Sequence, residues 1–313
     1  MDLKLLKCDW GMEHLGDARA RFQAYATAGY DGVEASFVDL DAEELKDLLQ
    51  ELRLEHVAMV FARDAKEFAE QLTRVRKLEP ILVNCHAGRD HFDFARGLSL
   101  LRTIKAMAHD ALGCEIVFET HRQTLLYAPW TTARYLEALP DLRLTADFSH
   151  FTCVSETDMH ALSHAVPDLE RNDRFKVERR PDLELAAFMD AAIRASHHIH
   201  ARVGWSHGPQ VADPTRGAGL EWTERFEAWW DRIIENCMAA GRPFLTINPE
   251  FGPPPYAPAD PATGSAFVDI WETCLWMTSR FRKRWSARLG TLDGAVIGSA
   301  TSSRGRATAP VNP

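Results

Sequence analysis

Cysteine is scarce in this chain and carries no pattern. Cys8, Cys85, Cys114, Cys153, Cys237 and Cys274 are spread over 313 residues without a CxxC pair or zinc-finger spacing. They read as small buried thiols rather than a disulfide framework. Long apolar runs are missing too. No stretch approaches the ~20 residues that cross a bilayer, and the opening MDLKLLKCDWGM lacks a signal-peptide layout. A cytoplasmic protein without a membrane partner is expected. Basic surplus is also absent: 36 Lys and Arg stand against 45 Asp and Glu, a formal charge of −9. Such a surface repels phosphate backbones, so no nucleic-acid partner is expected. No Gly-rich phosphate loop occurs, which leaves sugar phosphates without support as substrates.

What the chain does contain is an ordinary globular mixture, 46% hydrophobic and 26% charged. β-like runs alternate with amphipathic helical stretches. The runs are LKLLKCDW (3–10), DGVEASF (31–37), EHVAMVFA (55–62), ILVNCHAG (81–88), EIVFETH (115–121), LRLTADFSH (142–150), HHIHARVG (197–204) and FLTINPEFG (244–252). Eight strand–helix units without a break in composition predict an α/β fold, a closed (β/α)8 TIM barrel in one domain over residues 1–285. Residues 286–313 are small, polar and aperiodic, and a flexible tail is expected there. Trp222, Phe226, Trp229, Trp230 and Ile233 form one apolar helix face. That face suits the core or a subunit interface, so a homo-oligomer is compatible with it. The long Gly/Pro-containing loop 203–219 directly follows the seventh strand, where functional loops concentrate.

Alternation along the later strands is unusual. Side chains of a strand point to opposite faces in turn. In SHHIHARVGW, His198, His200 and Arg202 share one face while Ile199, Ala201 and Val203 share the other. The same division puts Val117, Glu119 and His121 together, then Arg143, Thr145 and Asp147, then Thr246, Asn248 and Glu250. In a barrel one face packs on the outer helices, so the polar face is the lumen. It becomes most acidic and histidine-rich at the C-terminal strand ends, where such barrels place active sites.

Glu119, Asp147, His200 and Glu250 come from four consecutive strands, whose neighbours run roughly 4.8 Å apart. Their ends can converge on one ion. Three crowded carboxylates repel each other and take up protons unless a cation is present. The expected cofactor is one divalent metal ion, with Mn²⁺, Mg²⁺, Co²⁺ and Zn²⁺ all compatible with mixed oxygen and imidazole ligation.

The ordered set of Glu, Asp-x-x-His, His-x-His and Glu resembles the xylose-isomerase-like TIM barrels, the sugar-phosphate isomerase/epimerase superfamily. The resemblance covers roughly residues 5–260. It rests on YDGVEA, NCHAGRD, FETH, DFSH, HIHARVG and NPEFGP, with the four ligand-type residues about 28, 53 and 50 positions apart. It implies that Glu119, Asp147, His200 and Glu250 are the metal ligands and that Glu119 and Glu250 are the catalytic proton-transfer pair. It also makes His150 a contact for substrate or a second metal, and Arg202 a contact for a substrate hydroxyl or carboxylate. The implied activity is that of a metal-dependent isomerase or epimerase. A proton next to a carbonyl moves through an enediolate, with a small polyhydroxy carbonyl compound, a ketose, an aldose or a relative, as substrate.

Further candidates keep two readings each. His86 and Asp90, at the end of the fourth strand, suit a substrate contact or loop hydrogen bonding. His121, also a candidate substrate contact, suits a group that orients a ligand or loop hydrogen bonding. Glu34 suits a sugar hydroxyl or a structural salt bridge. Trp10, Phe92, Trp130 and Trp205 suit sugar stacking or packing, and His198, one strand step deeper than His200, suits a group behind a ligand or the core. Two other activities stay open. One is a lyase or dehydratase of the same superfamily, of the inosose or dehydroshikimate type. The other is a DNA-repair hydrolase like endonuclease IV, for which Asp213 stands at the expected aspartate but Pro214 and Thr215 follow it.

Overall fold

A computed structural model of the protein describes residues 1–35, 38–157, 159 and 183–300. Eight strands close into a parallel barrel in chain order, β1 (Asp2–Cys8), β2 (Gly32–Ala35), β3 (Glu55–Ala62), β4 (Leu82–Ala87), β5 (Glu115–Glu119), β6 (Leu144–Ala146), β7 (Ser196–His200) and β8 (Phe244–Asn248). β8 pairs back onto β1, with Asp2 opposite Phe244. The expected (β/α)8 barrel is the fold. Ser36 and Phe37, at the end of the second predicted strand, lie outside the described residues. So do residues 301–313 of the predicted tail. The last helix, Ile270–Ala300, runs into that tail.

Two apolar regions hold the barrel. The larger one fills the space between strands and helices. There Phe226, Trp229, Trp230 and Ile233 of helix Gly217–Ala239 are buried, while Trp222 is partly buried. The aromatic helix face is thus core. A separate small cluster of Leu6, Val57, Leu82 and Val117 plugs the lumen. Each such buried side chain contributes about 1.5–3 kcal/mol. Above the plug the lumen turns polar with Asn84, Thr145, His198 and Thr246, all fully buried.

Two local features aim the polar layer. Register between β6 and β7 shifts so that Leu144 faces Ser196 but Thr145 faces His198, which makes His197 the extra residue. Such a bulge re-aims the side chains beyond it. The sixth strand is also shorter than the 142–150 expected. Asp147 accepts a hydrogen bond from Ser149 N and caps helix Phe148–Ser155. An aspartate at that position favours helix over continued strand because it satisfies an amide that the first turn leaves unpaired. His150 therefore sits on a helix rather than on a strand. The loop after β7 is tied to the loop after β8. Gln210 Nε2 donates to Gly252 O at 3.1 Å and Gly252 N donates to Gln210 Oε1 at 2.8 Å.

Candidate active site at the mouth of the barrel

Four strand ends meet at the C-terminal mouth. Glu119 ends β5, Asp147 follows β6, His200 ends β7, and Glu250 lies two residues beyond β8. All four are buried. One donor atom each from Glu119, Asp147 and His200 lies within 4.8 Å of the others. Glu250 Oε2 is 2.9 Å from His200 Nδ1. With His200 protonated these two atoms form an ion pair, and Glu250 Oε2 also lies 3.3 Å from Arg202 Nη2.

Glu34 lies at the centre of the polar layer. Its Oε2 is 2.8 Å from His200 Nε2 and 3.0 Å from His198 Nε2, and accepts from Asn248 Nδ2 at 2.6 Å. Its Oε1 accepts from Asn84 Nδ2 at 2.9 Å. Burial alone raises its pKa, but His200 and His198 more than reverse that and hold the carboxyl well below the usual range. Glu34 is fully buried and pairs with both His198 and His200, in line with the salt-bridge reading. With Nε2 of His200 held by Glu34, Nδ1 is the nitrogen directed to Glu250 and Glu119. Burial disfavours a charged His200, yet Glu34, Glu250 and Glu119 raise its pKa well above the ordinary value.

Arg202 is buried among the carboxylates. Its Nη2 makes a short contact with Asp147 Oδ2 and lies 3.3 Å from Glu250 Oε2 and 3.2 Å from His150 Nε2. Burial pushes the Asp147 carboxyl up; Arg202 opposes this and Glu250 and Glu119 add to it, leaving it at about 6. His150 is fully buried, 3.5 Å from Asp147, with its Nδ1 lacking a hydrogen-bond partner among the described residues. Burial first, then His121 and Arg202, take its pKa well below the ordinary value, so it is neutral.

His86 and His121 line the outer side. His86 Nε2 is 2.7 Å from Glu119 Oε2. His121 Nδ1 donates to the Arg122 carbonyl, which leaves Nε2 to accept from Tyr256 Oη at 3.0 Å. Burial, reinforced by His86, takes His121 down to about 3. The rings of His86, His121 and His150 succeed one another at centroid distances of 4.7 and 4.0 Å.

Two expected candidates are not brought to this cluster. Asp90 is exposed, 3.5 Å from His91. The chain leaves β4 through Gly88 at φ 65°, where a Cβ would stand 2.6 Å from Leu125, and this turn carries Asp90 outward. Asp213 is occupied by Thr215 and Arg216 at 2.9 and 2.7 Å. Of the four candidate stacking rings, Trp10 stands at the mouth, 5.0 Å from Tyr256 and 37% exposed. Trp205 packs on His207, and Phe92 carries Arg96.

Asn84 and Tyr256 join the site without having been expected there from the sequence. Asn84 connects Glu34, Glu119 and Thr145, donating to Glu119 Oε2 at 2.8 Å and accepting from Thr145 Oγ1 at 2.7 Å. It shares the strand face of His86, so alternation could have found it. Tyr256 lies in the aperiodic PPPYAP segment, where no such signal exists.

These residues fit a divalent cation. Glu34, Glu119, Asp147 and Glu250 bring four carboxylates into a buried space where Arg202 and a protonated His200 offset two. His200 Nδ1 and Glu250 Oε2 face each other beside Asp147 and Glu119, and a divalent ion binding there would take the place of the proton on His200. Oxygen and imidazole donors of this kind suit Mn²⁺, Mg²⁺, Co²⁺ or Zn²⁺.

No family model matches the chain, and no curated protein matches it in sequence. Solved structures do. A xylose isomerase domain protein from Planctomyces limnophilus aligns at a TM-score of 0.51 and 14% identity over 90% of this chain and 97% of its own. The probable 3-DHS dehydratase AsbF of petrobactin synthesis from Bacillus anthracis aligns at 0.47 and 13% identity, over 79% and 92%. The chain shares the (β/α)8 barrel fold of the Planctomyces limnophilus protein.

Proposed function

We propose that this protein is a divalent-metal-dependent isomerase or epimerase of a small polyhydroxy carbonyl compound. The observation that carries the reading is the meeting of Glu119, Asp147, His200 and Glu250 at the mouth, all buried, with His200 Nδ1 2.9 Å from Glu250 Oε2 and 3.5 Å from Glu119 Oε2. Glu119, Asp147, His200 and Glu250 would hold the divalent ion, which would supply Lewis acidity for the developing enediolate charge. Glu250 is the less encumbered carboxylate. Among the described residues its Oε1 meets only the Cys8 thiol, at 3.7 Å, which supports its role as the base that takes the proton from the carbon beside the carbonyl. Glu119 is tied by Asn84 and His86. The Glu119–His86 pair is placed to return a proton from the other side, because His86 is the member that reaches the outer cleft. Return to the same carbon inverts it; return to its neighbour isomerises.

A lyase begins with the same proton removal and then expels a hydroxyl. The observation in its favour is the His121–Tyr256 pair at 3.0 Å, a proton donor at the mouth that suits a leaving hydroxyl. The test is deuterium incorporation by NMR. Manganese-loaded protein in D₂O is offered ketoses, aldoses, inososes and hydroxy-keto acids. Exchange beside a carbonyl that is lost in Glu250→Gln is the expected result; a new stereoisomer indicates the isomerase or epimerase, and loss of water the lyase. Metal-loaded protein that exchanges none of them would refute the proposal.

A further inference from the structure

Beside the mouth, over the ends of β3, β4 and β5, lies an open cleft of about 510 Å³. His86 and His121 form its inner wall, and His86 is the residue that touches Glu119. The cleft therefore continues directly from the proposed reaction centre. Its volume falls in the range of small-ligand pockets.

The charge lining this cleft is uneven. Arg63 is neutralised by Glu67, whose Oε1 accepts from Arg63 Nε at 2.7 Å. Glu70 lies 3.7 Å from Lys66. Both acidic groups of the lining thus have cationic partners. Arg89 and Arg122 make no ion pair among the described residues, although Arg89 stands near enough to Glu67 to reinforce Arg63 in holding that carboxyl's pKa down. Both are half-buried. Arg122 is also held in place, with its guanidinium 4.7 Å from the centre of the Tyr256 ring. Arg202 lies 4.9 Å from the same ring. Tyr256 thus connects the cation of the buried centre to the cation of the cleft. Two partly desolvated guanidinium groups lining one cleft, neither in an ion pair, suit a carboxylate or phosphate, whose oxygens match the planar fork of donors.

We infer that the substrate is anionic, a polyhydroxy carbonyl compound bearing a carboxylate or phosphate at the end away from its carbonyl, and that Arg89 and Arg122 bind that group. The inference rests on the proposed carbonyl chemistry for which end of the substrate enters the mouth. The binding of the anion by the two arginines does not depend on it.

Binding is measured first, by calorimetry on the manganese-loaded protein, with sorbitol, gluconate and sorbitol 6-phosphate as probes. At least one anionic probe should bind about tenfold or more tightly than sorbitol, as expected for a charge-assisted pair. Which one prevails separates carboxylate from phosphate. Arg89→Met/Arg122→Met should abolish the preference, and Arg89→Lys/Arg122→Lys should restore part of it. Arg102→Met, which removes an exposed charge from helix Phe94–Ala111, is the control and should leave the preference intact. Equal binding of neutral and anionic probes, or a preference that survives in the double Met variant, would overturn the inference.

Deuterium exchange then separates the two claims. Fructose, fructuronate and fructose 6-phosphate are compared, and the anionic compounds should exchange with the higher kcat/KM, the double Met variant raising KM for them more than it lowers kcat. Anion binding that depends on Arg89 and Arg122 without exchange in any compound would uphold the anion subsite and sink the isomerase reading. Exchange of fructose at least as efficient as that of both acids would do the reverse.

Discussion

Glu34 Oε2 lies 2.8 Å from His200 Nε2, in the middle of the barrel and out of contact with solvent. The pair sets the direction of the imidazole: the nitrogen held by Glu34 points down the lumen, and the other points to Glu250 and Glu119. A carboxylate behind a ligating histidine fixes its orientation and raises its basicity. In Glu34→Gln the metal affinity should fall by about 10–100-fold while the four mouth residues stay in place. Titration of Mn²⁺ by electron paramagnetic resonance checks this; an unchanged affinity would remove Glu34 from the account.

Glu250→Gln keeps the size of the side chain and removes its charge and basicity. Deuterium exchange should drop by about 10²–10⁴-fold, the usual contribution of a positioned base. Far-ultraviolet circular dichroism should remain that of the parent protein. Activity equal to the parent's would rule out Glu250 as the base.

Arg202 bridges Asp147 and Glu250 from a buried position. Breaking such a pair from one side costs about 3–5 kcal/mol, because the remaining charges stay buried. Arg202→Met should therefore be strongly destabilised in the presence of EDTA. Saturating Mn²⁺ should raise its melting temperature by more than it raises that of the parent, since the ion then supplies compensation that the guanidinium no longer gives. Melting curves with equal increments in both proteins would show that the ion and Arg202 do not share these carboxylates.

His56 gives a pH prediction away from the mouth. It is buried between the sheet and the outer helices, and neither ring nitrogen has a side-chain hydrogen-bond partner among the described residues. Burial lowers its pKa from 6.5 to about 4. The unfolded chain binds a proton as pH falls below about 6.5, while the native state resists until about 4. Stability contributed by neutral His56 is present above that window and is lost across it, by about 3 kcal/mol in all. Urea unfolding at pH 7 and pH 4.5 should show a smaller fall for His56→Phe than for the parent. A parallel fall in the two would assign the acid sensitivity to other groups.

Much of the barrel is legible in the amino-acid order alone. Alternation along a strand is local, and it identifies the lumen faces of β5, β7 and β8 and the donor types at their ends. Turn chemistry is harder to read. Asp147 continues the strand by pattern but caps a helix by chemistry, and the cap prevails. Asp90 shares a motif with His86, yet the left-handed turn at Gly88 parts them.

The sequence by itself determined that eight strands would each offer one oily and one inward face, and that acid and imidazole groups would gather at one end of the lumen. That follows from a period of two residues, which neighbouring positions suffice to specify. Only the closed barrel decided who meets whom. Glu34 of β2 reaches His198 and His200 of β7, Asn84 of β4 and Asn248 of β8 because the ring is closed and its lumen narrow. Arg202 is committed to Asp147 for the same reason. Pairing across a lumen depends on distances between strands far apart in the chain, and local periodicity carries no record of them.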